Sequence, residues 1–116
     1  MSKAGPSASL LQSCVSNPQD LAGLVDYTAD SVVSKRIVDK PVGTLTLFAF
    51  DVGQRLSTHS APYDAVVHVL DGRAEITIAD KVLAVTAGQV VIMPANIAHA
   101  LVAEERFKML LVMIKG

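Results

Sequence analysis

From Ser31 onward, apolar and polar positions alternate with a period of two, most plainly in Thr44-Leu45-Thr46-Leu47-Phe48-Ala49-Phe50. That spacing places successive side chains on opposite faces of a strand. Turn chemistry recurs at Pro41-Val42-Gly43, Asp51-Val52-Gly53, Asp71-Gly72, Ala79-Asp80-Lys81, Ala87-Gly88 and Pro94-Ala95-Asn96, cutting the pattern into short runs of the kind that build a sandwich or barrel. No helix-length segment, internal repeat or low-complexity linker interrupts them, so residues 31–116 read as one all-β domain. Ahead of it, Asn17-Pro18-Gln19-Asp20 supplies a cap, a first-turn proline and an acidic residue suited to the positive end of a helix dipole. A short helix is expected from Pro18 to Val25, within a helix-and-linker segment 17–30. Residues 1–16 are expected to form a flexible arm.

Two runs depart from alternation. Ala65-Val66-Val67-His68-Val69-Leu70 and Met109-Leu110-Leu111-Val112-Met113-Ile114 are apolar on both parities, which means that both faces of those strands are covered. A small barrel has only one inner face. A second copy of the chain is the economical cover for the other, and a homodimer is expected, with Val66, His68 and Leu70 or the terminal strand in the contact.

Composition narrows the function classes. The chain has 116 residues, 51% hydrophobic and 18% charged, which suits a single domain with an ordinary core and rules out disorder along its length. Ten Lys and Arg against eleven Asp and Glu, a net charge of −1, give no basic field for nucleic acid. Val82–Ala103 carries no formal charge and is long enough in count to cross a bilayer, but Ala87-Gly88-Gln89 and Pro94-Ala95-Asn96 break it into strands, so no membrane partner is expected. The single cysteine, Cys14, allows no internal disulfide, and a reducing cytoplasm is the expected location. Residues 1–9 lack the apolar stretch of a secretory signal.

The candidate chemistry lies in two segments. Gly53-Gln54-Arg55-Leu56-Ser57-Thr58-His59 with Gly72 resembles the first motif of the cupin superfamily, which reads Gly, five residues, His-x-His, three or four residues, Glu, six residues, Gly. Gly88, Pro94 and His99 match the second motif, Gly, five residues, Pro-x-Gly, two residues, His, with Asn96 in the glycine position. Asn tolerates the left-handed conformation such a turn requires. The resemblance spans about Leu45 to Ile114 and implies a double-stranded β-helix, or jelly-roll, barrel preceded by a short helix. It also implies four metal ligands, which fall on His59, Ala61, Ala65 and His99. Two of the four are alanines, whereas a mononuclear catalytic site ordinarily takes three protein ligands. Of the possible substitutes, His68 and Asp64 have the wrong strand parity to face the cavity, and Glu75 lies beyond the Asp71-Gly72 turn.

The implied pocket is lined by His59, Ala61, Tyr63, Ala65, Val67, Met93, His99 and Leu101, with Tyr63 at the mouth. Met93 and Met113 read as inward-facing core residues. Two readings follow. In one, the chain is a small-molecule-binding cupin with a reduced or absent metal site, its ligand oriented by two imidazoles in a widened apolar cavity. In the other it is a metal-dependent enzyme of oxygenase or isomerase type, with a divalent Zn, Ni, Fe or Mn ion bound by His59 and His99 and completed by water or substrate. A metal-free variant would use His59 as general base, by analogy with cupin-fold sugar epimerases.

Overall fold

The structure, a computed structural model, describes residues 10–115. It contains eight strands, β1 (Val32–Lys40), β2 (Gly43–Phe50), β3 (Arg55–His59), β4 (Ala65–Ile78), β5 (Lys81–Thr86), β6 (Val90–Met93), β7 (His99–Val102) and β8 (Phe107–Ile114). All pairings are antiparallel and form one curled sheet in the order β1-β2-β8-β4-β7-β3, with β5 and β6 also paired to β4. This is the all-β architecture expected from the period-two pattern, and the jelly-roll that the family resemblance implied. Among the described residues no helix is long and apolar enough to cross a membrane.

The fold turns on β4, whose 14 residues serve both halves of the barrel. Its first part, Ala65–Gly72, pairs with β6 and β8, and its second, Arg73–Ile78, pairs with β5 and β7. Asp71-Gly72, expected as a turn, is instead a corner inside this strand. The register with β8 slips between Val69 and Asp71, and Gly72 takes φ +74°, so the extra residue and the left-handed backbone bend the strand from one half to the other. The two halves then enclose Phe50, Ala65, Val67, Val69, Ile76, Leu101 and Phe107, all 0–2% exposed. Phe50 and Phe107 stack at 4.5 Å between ring centroids, 11° from parallel. The remaining turn signals hold: Ala79 and Asn96 adopt positive φ at 57° and 64°, as do Gly53 and Gly88.

The segment before the barrel differs from expectation. Residues 1–9 of the predicted arm lie outside the described residues, and from Leu10 to Cys14 the chain forms a one-turn helix, α1. The helix predicted over Pro18–Val25 shrinks to a single 3-10 turn at Leu21–Leu24. Asp20 makes no side-chain cap there, and the Asn17 amide donates instead to the Ser13 carbonyl. Tertiary contact accounts for the change: Val25 leaves the turn extended (φ −135°, ψ 139°) and is fully buried on Leu47 and Ala49, with Leu70 and Leu110 packed around them. A continuing helix would carry Val25 off that surface.

This segment supplies part of the second layer that the doubly apolar runs required. It is fastened by Tyr27, whose hydroxyl donates to Asp71 Oδ2 at 2.5 Å while the Arg106 guanidinium lies 4.2 Å over its ring, and by the Lys108 ammonium donating to the Ala22 carbonyl at 2.7 Å. A row on the same face stays more open. Ile92, Val66, Val112, Leu45 and Val38 are successive cross-strand partners from β6 to β1, with Ile92, Val90 and Ile114 exposed at its flanks.

Candidate functional site

His59 ends β3 and His99 begins β7, and the two residues are cross-strand partners. A register shift between Leu56 and His59 turns both rings to the same side, with centroids 4.4 Å apart and planes 72° apart. The loop before β7 is tied to the loop before β4 by two bonds: the Asn96 amide donates to the Ala61 carbonyl at 2.7 Å, and the Ala95 amide donates to Asp64 Oδ1 at 2.8 Å. Asp64 is thus a tether that fixes the approach to His99, which explains its place beside the cavity and not in it.

Each ring is oriented by its own backbone. His59 Nδ1 lies 2.8 Å from the Ser57 carbonyl and His99 Nδ1 lies 3.2 Å from the Ile97 carbonyl, in both cases two residues upstream. A carbonyl oxygen only accepts, so each Nδ1 carries its proton and, in the neutral ring, each Nε2 presents a bare lone pair. Those two Nε2 atoms face each other at 3.2 Å. Burial, and then the adjacent His59, hold the His99 imidazole below its ordinary range, against a smaller opposing effect of the Ile97 carbonyl. His99 is 4% exposed, whereas His59 is open to solvent on its outer edge. The pair therefore sits at the mouth of the barrel with two acceptors aimed at one point.

Behind the pair lies a cavity of about 110 Å³. Of the residues expected to line it, the structure brings together His59, Ala61, Ala65, Met93, His99 and Leu101, and adds Leu56, Met109, Leu111 and Met113. Two expectations are corrected. Val67 lies one inward position deeper along β4 and is fully buried in the core, and Tyr63 precedes β4 with its ring facing the Lys115 ammonium at 5.7 Å. Neither lines the cavity. The methionine lining follows from register: Met93 of β6 and Met113 of β8 both pair with Ala65 of β4, so three inward residues stand in one row with the alanine in the middle. Sequence parity pointed Met93 and Met113 inward, but only the cross-strand register makes them flank Ala65.

His68 lies on the other face of β4, between its partners Val90 and Leu110. Glu75, with Arg73, Glu104 and Glu105, borders a groove of about 410 Å³ on the outside of the barrel. That groove is larger than the cavity, but its charged side chains extend from an open surface. The apolar cavity with convergent acceptors is therefore the candidate site.

Whether the residues fit the metal of a four-ligand cupin site is decided by the donor set. Two imidazoles are present, and Ala61 and Ala65 supply neither a third nitrogen nor a carboxylate. Among the described residues no group of three or more His, Cys, Asp or Glu side chains is placed to hold a metal. A divalent ion here would keep its charge uncompensated against an apolar wall. The donor set does not fit such an ion.

Comparison with known proteins agrees with this architecture. The profile of the cupin domain matches residues 46–115. The crystal structure of a conserved Streptococcus pyogenes protein of unknown function superposes with a TM-score of 0.83 at 42% identity, over 86% of this chain and 88% of that one. A cupin 2 conserved barrel domain protein from Leptotrichia buccalis gives 0.79 at 43% identity, over 81% of this chain and 46% of that one, so this chain spans about half its length. A cupin superfamily protein from Desulfitobacterium hafniense gives 0.82 at 28% identity, over 86% and 92%. A search of curated proteins finds no match. With its paired halves, its two motifs in register and a matched span that covers most of the barrel, the chain belongs to the cupin domain family.

Proposed function

We propose that this protein is a small-molecule-binding cupin whose ligand enters the barrel and is held by His59 and His99. The observation that carries the reading is the pair of Nε2 acceptors 3.2 Å apart, each freed by a carbonyl that occupies Nδ1. Two lone pairs that converge on one point are both satisfied by a group with two N–H donors, such as an amide NH2, while a hydroxyl donates to one of them, and the apolar wall behind them takes the rest of the ligand. An apolar cavity of about 150 Å³ holds a benzene ring, so the present one, at about 110 Å³, suits a small ring or the end of a longer molecule. The alternative, an enzyme built on a divalent Zn, Ni, Fe or Mn ion, has only two matching ligands in its favour.

Proton NMR of the imidazoles tests the reading with benzyl alcohol and benzamide as probes and toluene as the analogue without a donor. Both donors are expected to shift the His59 and His99 resonances and leave His68 unmoved, toluene to act more weakly, and His59→Ala to abolish the difference. Equal effects of toluene and benzyl alcohol, or none from any probe, would overturn it.

We also propose that a second copy covers the apolar row from Ile92 to Val38. Contiguous apolar faces left in water mark interaction sites on monomers, and about 800 Å² per partner is sufficient for a stable dimer. The Leu70 and Leu110 part of the expected contact is already covered by the chain's own residues 21–27, which moves the contact toward Val66, Ile92 and Val112.

A further inference from the structure

One edge of the sheet carries backbone groups that the barrel itself does not use. β5 pairs with β4 alone, and the two-residue turn Ala79-Asp80 between the partners Ile78 and Lys81 fixes which of its residues bond to β4. In an antiparallel ladder these alternate, so Lys81, Leu83 and Val85 exchange bonds with β4 while Val82, Ala84 and Thr86 turn their N–H and C=O groups to the free side. Thr86 bears this out: its amide donates to Gln89 Oε1 at 2.9 Å and its carbonyl accepts from the Gln89 amide at 2.9 Å, both outside the ladder. Gln89 thus closes that end of the edge. Among the described residues the backbone groups of Val82 and Ala84 have no such partner, and both residues are exposed. Sheet edges are ordinarily blunted by charge, proline or a bulge. β5 has a lysine only at its first position, no proline, and an unbroken register from Lys81 to Thr86.

The ground on the two sides of this edge differs. On the outer face of the barrel lies the groove of about 410 Å³ that Val82 and Ala84 share with Arg73, Glu75, Glu104 and Glu105. Three carboxylates against one guanidinium leave it negative, and none of the three forms an ion pair among the described residues. Toward β6 lies a hollow of about 440 Å³ whose walls include Leu83, Val85, Val90 and Val91. A strand laid along β5 would send alternate side chains to opposite faces. Two strand spacings, about 10 Å, would separate it from β4 and Glu75, a gap that a lysine and a glutamate side chain cross together. One parity therefore favours cations and the other apolar residues. A second copy of the chain fits poorly here, because pairing β5 with β5 about a two-fold axis would bring two sets of carboxylates together.

We propose that the free edge of β5 docks an extended segment of a partner protein in which basic residues alternate with apolar ones, bonded through its main chain to Val82 and Ala84, with its Lys or Arg side chains over Glu75, Glu104 and Glu105. Main-chain pairing supplies the affinity of such a contact and the alternating side chains its specificity. The surface lies outside the barrel cavity, so the proposal does not depend on His59 and His99.

NMR titration of the isotope-labelled full chain with millimolar Lys-Val-Lys-Val-Lys-Val-Lys, acetylated and amidated at its ends, tests it. The Val82 and Ala84 amides are expected to shift to saturation while those of β1, at the far edge of the sheet, stay in place. Ala84→Pro removes one outward N–H and no ladder bond, a change that an edge strand accepts, and is expected to weaken the peptide about tenfold, the effect of one lost hydrogen bond that leaves its partner unpaired. Glu104→Gln/Glu105→Gln is expected to weaken it several-fold and to reduce its sensitivity to salt. The fully N-methylated peptide, which keeps the charges but lacks the donors, and Glu-Val-Glu-Val-Glu-Val-Glu are expected not to bind. No shift at Val82 and Ala84, equal binding of the N-methylated or the acidic peptide, or equal binding to an Ala84→Pro chain that circular dichroism shows folded would overturn the proposal; the N-methylated peptide decides it on the wild type if Ala84→Pro does not fold. Shifts of the same two amides on concentrating the chain alone would assign the edge to a second copy and overturn it as well.

Discussion

Gly72 is the position where one added methyl group tests the architecture that assembles the site. A Cβ built on it lies 2.0 Å from the Arg106 carbonyl oxygen and 3.0 Å from the Phe107 Cα, well inside the 3.5–4.0 Å at which non-bonded atoms rest. Both atoms are backbone, so the start of β8 has to move, and with it Phe107, fully buried on Phe50. Gly72→Ala thus carries two penalties, about 1–2 kcal/mol for a left-handed alanine and about 1–3 kcal/mol for overpacking the corner. The sum, about 2–5 kcal/mol, is a large part of the stability of a domain this size. Gly88→Ala is the internal control. It has the same sign of φ, +89°, but nothing within 4 Å of the added atom, so only the conformational penalty of about 1–2 kcal/mol applies. Thermal unfolding followed by circular dichroism is expected to fall by about 8–20 °C for Gly72→Ala and about 4–8 °C for Gly88→Ala, at roughly 4 °C per kcal/mol. A Gly72→Ala chain that fails to fold while Gly88→Ala folds agrees with the same ordering. Equal losses would show that the corner does not depend on the close approach of β4 and β8, and the account of how one strand joins both halves would be wrong.

Three further outcomes are expected. Val25→Ala removes two methyl groups from a fully buried position and should lower the urea unfolding free energy by about 2 kcal/mol; a change within error would mean that residues 21–27 do not cover the sheet. The Tyr27 hydroxyl is held well above its ordinary value of 10.0, first by burial, then by its hydrogen bond to Asp71 and the charge of that carboxylate, with Arg106 acting the other way. A folded-state value above the unfolded one contributes stability that is complete below pH about 10 and declines as pH rises beyond it, so urea midpoints of wild type should drop more steeply than those of Tyr27→Phe between pH 9 and pH 11 (about one unit either side of the ordinary value), and parallel curves would refute this. Light scattering at micromolar concentration should return twice the monomer mass of 12.2 kDa and the monomer mass for Ile92→Asp, whose charge would have to be desolvated in the contact; a monomeric wild type would remove the proposed dimer.

The fold was legible in the sequence because its information is local. Alternation in Thr44–Phe50 needs only neighbouring residues to specify a half-buried strand, and glycine or asparagine in a turn marks a backbone conformation that few other residues adopt, as Asn96 does at φ 64°. The spacings Gly53-to-His59 and Gly88-to-His99 matched the family's two motifs, and it was that resemblance that singled out both histidines. Even the orientation of each ring is local, set by a carbonyl two residues upstream.

What tertiary structure alone decided is everything that depends on register between distant strands. The Nε2 atoms of residues 40 apart meet at 3.2 Å only because β3 and β7 pair with a slipped register, and periodicity carries no trace of a slip. Met93 and Met113 flank Ala65 because β6 and β8 take either side of β4, an order that no local pattern encodes. Asp71-Gly72 has the composition of a turn, and becomes a corner within a strand because both neighbouring halves bind β4 at once. The helix expected at Pro18–Val25 yields for the same reason: capping contributes about 1 kcal/mol, and the burial of Val25 against Leu47 and Ala49, about 1.5–3 kcal/mol for such a side chain, outweighs it.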